Sequence, residues 1–157
     1  MARITVRRAR LEELDAVLDL WEEMMQYHAR LDPRFQPAAD GQALFRPTLR
    51  SWMAESDVRV LVAVTEGRVI GYASGRIVES APVLDPPYFG HVSEICVAPE
   101  WRRFGVGRRL FRALYAWFRR RGLTTLQLNV AARNPVSQAF WHEMGFGDYM
   151  DRMWMDL

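Results

Sequence analysis

The stretch from Val97 to Leu110, VAPEWRRFGVGRRL, decides how the rest of the chain is interpreted. Its pattern predicts the end of a strand, a turn opened by Pro99 and the start of a helix. Gly105 and Gly107 stand where that helix begins, and a backbone without Cβ atoms can approach a ligand closely. The first N–H groups of the helix have no partners within it and lie at the positive end of its dipole. The stretch therefore predicts a binding site for a diphosphate or a similar anion.

Arginines flank this turn on both sides. Arg102 and Arg103 lie at the positive end of the helix dipole, which repels them unless an anion intervenes, so we expect both to bind the anion. Arg119 to Arg121 lie near the other end of the helix, where cations are favourable, and are interpreted as a solvated face. All 21 basic residues are arginine, which excludes a Walker A loop and a Schiff-base lysine.

The composition is that of one globular domain spanning residues 1–157, since half of the residues are hydrophobic and a quarter are charged. No run of about 18 apolar residues occurs and the N-terminus has no apolar signal segment. We therefore expect neither a membrane span nor a signal peptide. The single cysteine, Cys96, favours a reducing cytoplasm, and a net charge of +2 is too small to indicate a nucleic-acid partner.

Periodicity and turn signals predict elements in the order βααβββαβαβ. This order indicates an α/β sandwich, with helices flanking a mixed, mostly antiparallel sheet. The predicted strands are Ile4–Ala9, Val58–Val64, Arg68–Val78, His91–Ala98, Leu123–Ala131 and a last strand or pair within Phe146–Leu157. The predicted helices are Leu11–Leu31, Gln42–Ala54, Gly105–Arg121 and Pro135–Met144. Glu66-Gly67 is predicted to form a tight hairpin turn.

Two motifs in this order resemble those of the GCN5-related N-acetyltransferases (GNAT). Residues 102–107, RRFGVG, fit the pyrophosphate signature of that family, Q/R-x-x-G-x-G/A, at the correct place after a strand. Residues 134–146, NPVSQAFWHEMGF, fit its later N…(Y)…GF segment. Residues 6–14, VRRARLEEL, are similar to its usual first strand and helix. The resemblance thus covers essentially the whole chain.

The resemblance implies acetyl-CoA as co-substrate and direct attack of a primary amine of a small molecule or peptide on the thioester. No metal is expected, because the three histidines are far apart in the sequence and no Cys/His spacing fits a metal site. The backbone near Val97 is implied to pair with the pantetheine arm as an added strand. Asn134, with Ser137 one turn along, is implied to contact that arm; alternatively, Asn134 simply caps its helix. The implied cofactor-binding residues are Ile95, Cys96, Val97, Arg102, Arg103, Phe104, Gly105, Val106, Gly107, Arg108, Asn134, Ser137 and Trp141.

Amine acetylation needs a base, because an ammonium group has no lone pair with which to attack. The candidates for this catalytic role are His91 and Glu94, on the strand beside the implied thioester. Strict alternation places them on opposite faces of the sheet, unless a β-bulge between them changes the parity. Alternatively, His91 is a surface residue at a strand end and Glu94 belongs to a structural ion pair.

The chain departs from the family at Trp141, where a tyrosine often protonates the leaving thiolate. An indole N–H cannot act as that acid at neutral pH. Either the thiolate leaves unassisted, since thiols have a pKa of about 8.5, or Tyr149 or His142 replaces the tyrosine, or the reaction is slow. His142 is poorly suited, because the next position of a helix points about 100° away.

The acceptor pocket of the family suggests Tyr27, Phe35 and Trp52 as substrate-binding residues. A homodimer is expected by resemblance, and Met153 to Met155 suit a contact between subunits or a place in the core.

The competing functions are a CoA-binding sensor or regulatory module without turnover and an arginine-rich nucleic-acid binder. The nucleic-acid binder is disfavoured because aromatic and basic residues do not interleave.

Overall fold

The computed structural model describes residues 3–157, which form five strands and four α-helices. The strands are β1 (Thr5–Arg8), β2 (Val58–Thr65), β3 (Arg68–Glu79), β4 (Tyr88–Val97) and β5 (Leu126–Leu128). The helices are α1 (Leu14–Leu31), α2 (Gly41–Ala54), α3 (Val106–Arg120) and α4 (Pro135–Glu143). None of these helices is long and apolar enough to cross a membrane.

The strands form one sheet in the order β1-β2-β3-β4-β5, antiparallel from β1 to β4 and parallel between β4 and β5. Helices cover both faces. On one face, Leu18 of α1 and Leu49 of α2 pack against Tyr72 of β3. On the other face, Leu114 of α3 packs against Ala73, the next residue of the same strand. The predicted α/β sandwich around a mixed sheet is confirmed.

Local turn signals identify the hairpin between β2 and β3 correctly. Glu66 and Gly67 have φ angles of 49° and 76°, the pair of left-handed residues that a tight antiparallel hairpin needs. The boundaries of most elements agree with the prediction to within a few residues. The exception among the helices is the start of α1, because residues 11–13 form a 3₁₀ turn in which the Glu13 carboxylate accepts from the Arg10 N–H.

The last strand or pair predicted within Phe146–Leu157 is wrong, because no residue from 144 onward is in a helix or strand. Apolar side chains are frequent there, as at Met153 to Met155, but a strand also needs an exposed edge with which to pair. The neighbouring strand β5 offers only three residues. It is itself shorter than the predicted Leu123–Ala131, because β4 pairs with it only at Gly90–Val92.

Candidate active site

A gap in the sheet opens beside the second half of β4. After Val92, no strand within residues 3–157 pairs with β4 on the β5 side. Residues 93–97 therefore present an unpaired strand edge, the kind of edge to which an extended ligand can add as a further strand. The implied pairing residues Ile95, Cys96 and Val97 all lie on this edge.

Cys96 belongs to the core beneath the edge and is not a nucleophile. Its Sγ lies 3.2 Å from the carbonyl oxygen of Leu20 on α1. Burial raises the pKa of this thiol to about 12, so the reactive thiolate is not populated at neutral pH. Only the backbone of Cys96 can contribute to ligand binding.

The loop between β4 and α3 has the geometry of an anion cradle. Arg103 and Gly105 have φ angles of 66° and 75°, both in the left-handed region. Among residues 3–157, the backbone N–H groups of residues 104–108 find no acceptor. They lie at the N-terminus of the 15-residue helix α3, whose dipole adds positive potential. The buried side chain of Val106 fixes this helix start in the core.

The arginines of the loop have different partners. Arg102 donates through Nε to the Val97 carbonyl oxygen at 3.0 Å and forms an ion pair with Glu23 of α1 at 3.1 Å. It therefore braces the end of β4. Arg108 pairs with Glu143 of α4. Arg103 forms no salt bridge with any residue in the range 3–157, so its guanidinium is available to an anion at the loop.

A β-bulge brings both candidate bases to the same face of the sheet. In the pairing of β3 with β4, Ser74 lies opposite Glu94, whereas the next residue, Gly75, lies opposite Val92. Ser93 is the extra residue of the bulge. Because of it, His91 and Glu94 both face the layer of α1 and α2, as the alternative with a bulge predicts.

Their surroundings shift the pKa values of the two bases in opposite directions. Burial raises the pKa of the Glu94 carboxyl, and a hydrogen bond of 2.7 Å from the Tyr72 hydroxyl opposes that shift only in part. Burial, with the nearby Arg76, lowers the pKa of His91. The site thus holds a carboxylate of increased basicity and an imidazole that stays neutral over a wider pH range.

The segment implied to contact the pantetheine arm is ordered by Asn134. This buried side chain caps α4, since its Oδ1 accepts from the Ser137 N–H at 3.1 Å. Its Nδ2 lies 3.3 Å from Nε2 of His28, whose Nδ1 lies 2.9 Å from the Met24 carbonyl oxygen. The structure therefore shows the capping role. His28 joins α1 to α4, a role that the sequence does not reveal, because nothing in its local pattern distinguishes it from other residues on α1.

Trp141 lies in the core, with 8% of its surface exposed. Its ring packs edge-on against Phe111 at 5.6 Å and Phe146 at 5.4 Å between centroids. The two candidate replacements for the family tyrosine lie elsewhere. His142 is exposed and contacts Asp148 at 2.8 Å, and Tyr149 is 76% exposed.

The structure brings together two of the three predicted substrate-binding residues. The rings of Tyr27 and Phe35 both approach His28, with centroids 5.9 Å and 5.7 Å away. Trp52 instead packs edge-on at 5.6 Å against Phe45 of the same helix, α2, and Phe45 in turn stacks on Trp21 of α1.

An ionic contact fixes the loop that carries Phe35. The buried carboxylate of Asp32 accepts from the Arg34 guanidinium at 2.6 Å and from the Arg34 backbone N–H at 3.1 Å. These bonds lower the pKa of Asp32 to about 2, so the carboxylate remains charged at neutral pH. Arg133, next to Asn134, lies 4.0 Å from the same carboxylate. This loop is thereby held close to the N-terminus of α4.

Comparison with known proteins agrees with this arrangement. The model of the acetyltransferase (GNAT) family matches residues 16–146, which include β2 to β5 and both glycines of the loop.

Solved structures share the fold over nearly the whole chain. A tetramutant of the BH1408 protein from Bacillus halodurans is 20% identical with a TM-score of 0.88, covering 98% of this chain and 99% of its own. The aminoglycoside antibiotic 6′-N-acetyltransferase AAC(6′)-IG from Acinetobacter haemolyticus is 20% identical with a TM-score of 0.78, over 98% and 97%. A predicted acetyltransferase from Clostridium acetobutylicum, solved with acetyl-CoA, is 13% identical with a TM-score of 0.80, over 98% and 96%.

Proposed function

The chain belongs to the acetyltransferase (GNAT) family, and from that premise we propose that it transfers the acetyl group of acetyl-CoA to a primary amine of a small molecule or peptide. Acetyl-CoA supplies an activated thioester, which the amine attacks directly. The observation that carries the amine proposal is the partly buried Glu94 carboxylate beside the unpaired edge of β4. A basic side chain at that point suits an acceptor that must lose a proton before it can attack.

We assign acetyl-CoA binding to the loop and to the strand edge. The N–H groups of residues 104–108 and the Arg103 guanidinium suit a pyrophosphate, because such charge-assisted hydrogen bonds are the strong ones. Arg102 holds the carbonyl of Val97 and so orients the end of the strand edge. Each charge-assisted bond contributes about 1.5–3 kcal/mol, so several of them can supply much of the affinity.

We place the acceptor amine on the α1 and α2 side of β4. Glu94 and His91 both face that side, and Tyr27 and Phe35 stand at the end of α1. Glu94 is the preferred base, because its raised pKa strengthens proton uptake by the carboxylate. The aminoglycoside acetyltransferase with the same fold supports an amine as the acceptor.

Acetyl-CoA titration by calorimetry, followed by turnover against an amine panel, tests this proposal. The panel contains aminoglycosides, polyamines, amino acids and peptides with free N-termini. We expect saturable binding and turnover of at least one amine. An absence of acetyl-CoA binding contradicts the proposal outright.

Binding without turnover of any amine favours the second candidate, a CoA-binding sensor or regulatory module. The observation behind that candidate is Trp141. The position where the family often has an acidic tyrosine is here a core indole, which cannot protonate a leaving thiolate.

We also propose a homodimer that uses the C-terminal segment 149–157. Met153 and Met155 are 92% and 78% exposed, whereas Trp154 between them lies over the Arg34 guanidinium at 6.0 Å. Exposed apolar side chains clustered in one short segment mark an interaction surface. The double substitution Met153→Ser with Met155→Ser is expected to shift the sedimentation coefficient from that of a dimer to that of a monomer.

The matched control for this prediction is Val83→Ser with Leu84→Ser, which removes two exposed apolar side chains from a different loop. That pair is expected to sediment like the unaltered protein. A monomeric unaltered protein, or equal effects of the two pairs, contradicts the proposed role of the C-terminal segment.

A further inference from the structure

We propose that Tyr72 is a positioning residue that holds the Glu94 carboxylate in place for proton transfer, an inference that rests on the proposed function. Tyr72 lies at the middle of β3 and has no exposed surface. Its hydroxyl donates to Oε2 of Glu94 at 2.7 Å, and both side chains face α1 and α2.

Packing alone does not account for a tyrosine at this position. The neighbours of its ring are apolar side chains of the layer under α1 and α2, including Leu18 and Val62. A phenylalanine would fill the same space without the cost of burying a hydroxyl group, which is favourable only when the hydroxyl is hydrogen-bonded. Within residues 3–157, Glu94 is the one partner of that hydroxyl. The carboxylate therefore explains the presence of the oxygen atom.

The hydrogen bond also determines which carboxylate oxygen is free. Oε2 is engaged by Tyr72, while Oε1 accepts no hydrogen bond from any side chain in the described part of the protein. Ser74 lies opposite Glu94 in the strand register and is near enough to lower its pKa, but its buried hydroxyl is not in hydrogen-bonding geometry with any group there. Oε1 is thus the oxygen available to take a proton from an amine, either directly or through a water.

Tyr72 can act only as a donor in this pair. Burial, and then the charge of Glu94, raises the pKa of the phenol well above its usual range. The hydroxyl therefore keeps its proton near neutral pH and does not compete with Glu94 as a base.

The other ionisable groups around Glu94 are Cys96, Glu23 and His91, and of these His91 changes its charge in the acidic range in which Glu94 also titrates. Cys96 on β4 stays protonated, and Glu23 on α1 is paired with Arg102. His91 shares the face through the bulge, and the positive Arg76 lies beside it. The Tyr72 hydroxyl is the direct stabiliser of the charged form of Glu94, so its removal has a defined effect on the titration of that carboxylate.

The test is Tyr72→Phe, followed by a ¹³C NMR titration of the protein labelled at its glutamate carboxyl carbons. The Glu94 resonance is identified as the one that disappears in Glu94→Gln. We expect Tyr72→Phe to raise the pKa of Glu94 by about one pH unit, the effect of losing one charge-assisted hydrogen bond. The acidic limb of the kcat/KM profile, measured with the most active amine of the panel, is expected to move upward equally, with an unchanged plateau at high pH.

Tyr115→Phe is the matched control, because that tyrosine is half-exposed on α3 and packs against Phe111 on the opposite side of the sheet. It is expected to leave both titrations unchanged. If Tyr72→Phe loses thermal stability but leaves the pKa of Glu94 unchanged, the inference is overturned and Tyr72 serves only in packing. A shift in the NMR titration without a shift in the kinetic limb overturns the catalytic part, together with Glu94 as the base, while the hydrogen bond itself stands.

Discussion

Glu94→Gln is expected to lower kcat/KM for acetyl transfer about 1,000-fold while changing the affinity for acetyl-CoA less than about twofold. Glutamine keeps the shape of the side chain and can still hydrogen-bond to Tyr72, but its amide cannot take a proton. The acetyl-CoA site lies on the loop and on the backbone of the strand edge, so it does not depend on this carboxylate. Steady-state kinetics and calorimetry on the same preparation measure the two quantities.

The pH profile of the unaltered protein does not identify the base, because burial raises the pKa of Glu94 and lowers that of His91 toward each other. Substituting each candidate base separately and comparing the activities does identify it. His91→Gln is expected to retain most of the activity, and Glu79→Gln, at the exposed end of β3, to retain all of it. If His91→Gln loses activity and Glu94→Gln keeps it, the base assignment is wrong.

Glu94→Gln is also expected to raise the melting temperature at pH 7. A carboxyl group whose pKa is raised by folding stabilises the native state fully only at low pH, and that stability is lost as the pH rises through the folded-state value. At pH 7 the native protein therefore holds a carboxylate at a cost, which the neutral amide removes. An active site that stores such a cost trades stability for activity. A lower melting temperature for Glu94→Gln would identify the carboxylate as part of a stabilising contact instead.

The phosphate loop and the element order could be predicted because their signals are local. Two glycines at a helix start and the hairpin at Glu66-Gly67 depend on backbone conformations that neighbouring residues specify. Whether His91 and Glu94 face the same side of the sheet depends on the register between β3 and β4. Only the pairing of β4 with β3 shows that Ser93 is the additional residue of a β-bulge. The sequence alone therefore allows the two side chains to lie on the same face or on opposite faces.

Side-chain roles that arise from distant contacts could not be predicted. Arg102 and Arg103 are neighbours at the helix start and both are expected to bind the anion, but Glu23, far earlier in the chain, engages Arg102 and leaves Arg103 available. Tyr72 resembles any other apolar strand residue until Glu94 is found beside its hydroxyl. The exposed C-terminal segment is rich in apolar residues but forms no strand, and the single chain provides no edge long enough to pair with it in the part that the structure describes.

Gly105→Val is expected to weaken acetyl-CoA binding about 100-fold, or about 2.7 kcal/mol. Gly105 has a φ of 75°, and a β-branched residue is strained in that region. Apart from Gly105 and its chain neighbours, no described atom lies within 4 Å of the position where a Cβ would be, so the new side chain projects into open space at the loop that carries the free N–H groups. The side chain therefore obstructs the pyrophosphate, and the strained backbone moves those N–H groups out of alignment. Calorimetric titration with acetyl-CoA measures the loss.

Gly67→Val separates backbone strain from the effect on the ligand. Gly67 has a φ of 76° and the same open space around its Cβ position, but it lies in the hairpin between β2 and β3. The two variants therefore introduce the same residue into nearly the same backbone conformation, and their losses of thermal stability are expected to be similar. Only Gly105→Val is expected to lose affinity. Equal acetyl-CoA affinities would show that the loop does not hold the pyrophosphate, whereas a loss confined to Gly105→Val ties the left-handed glycine to the ligand, because strain is common to both sites and proximity to the anion is not.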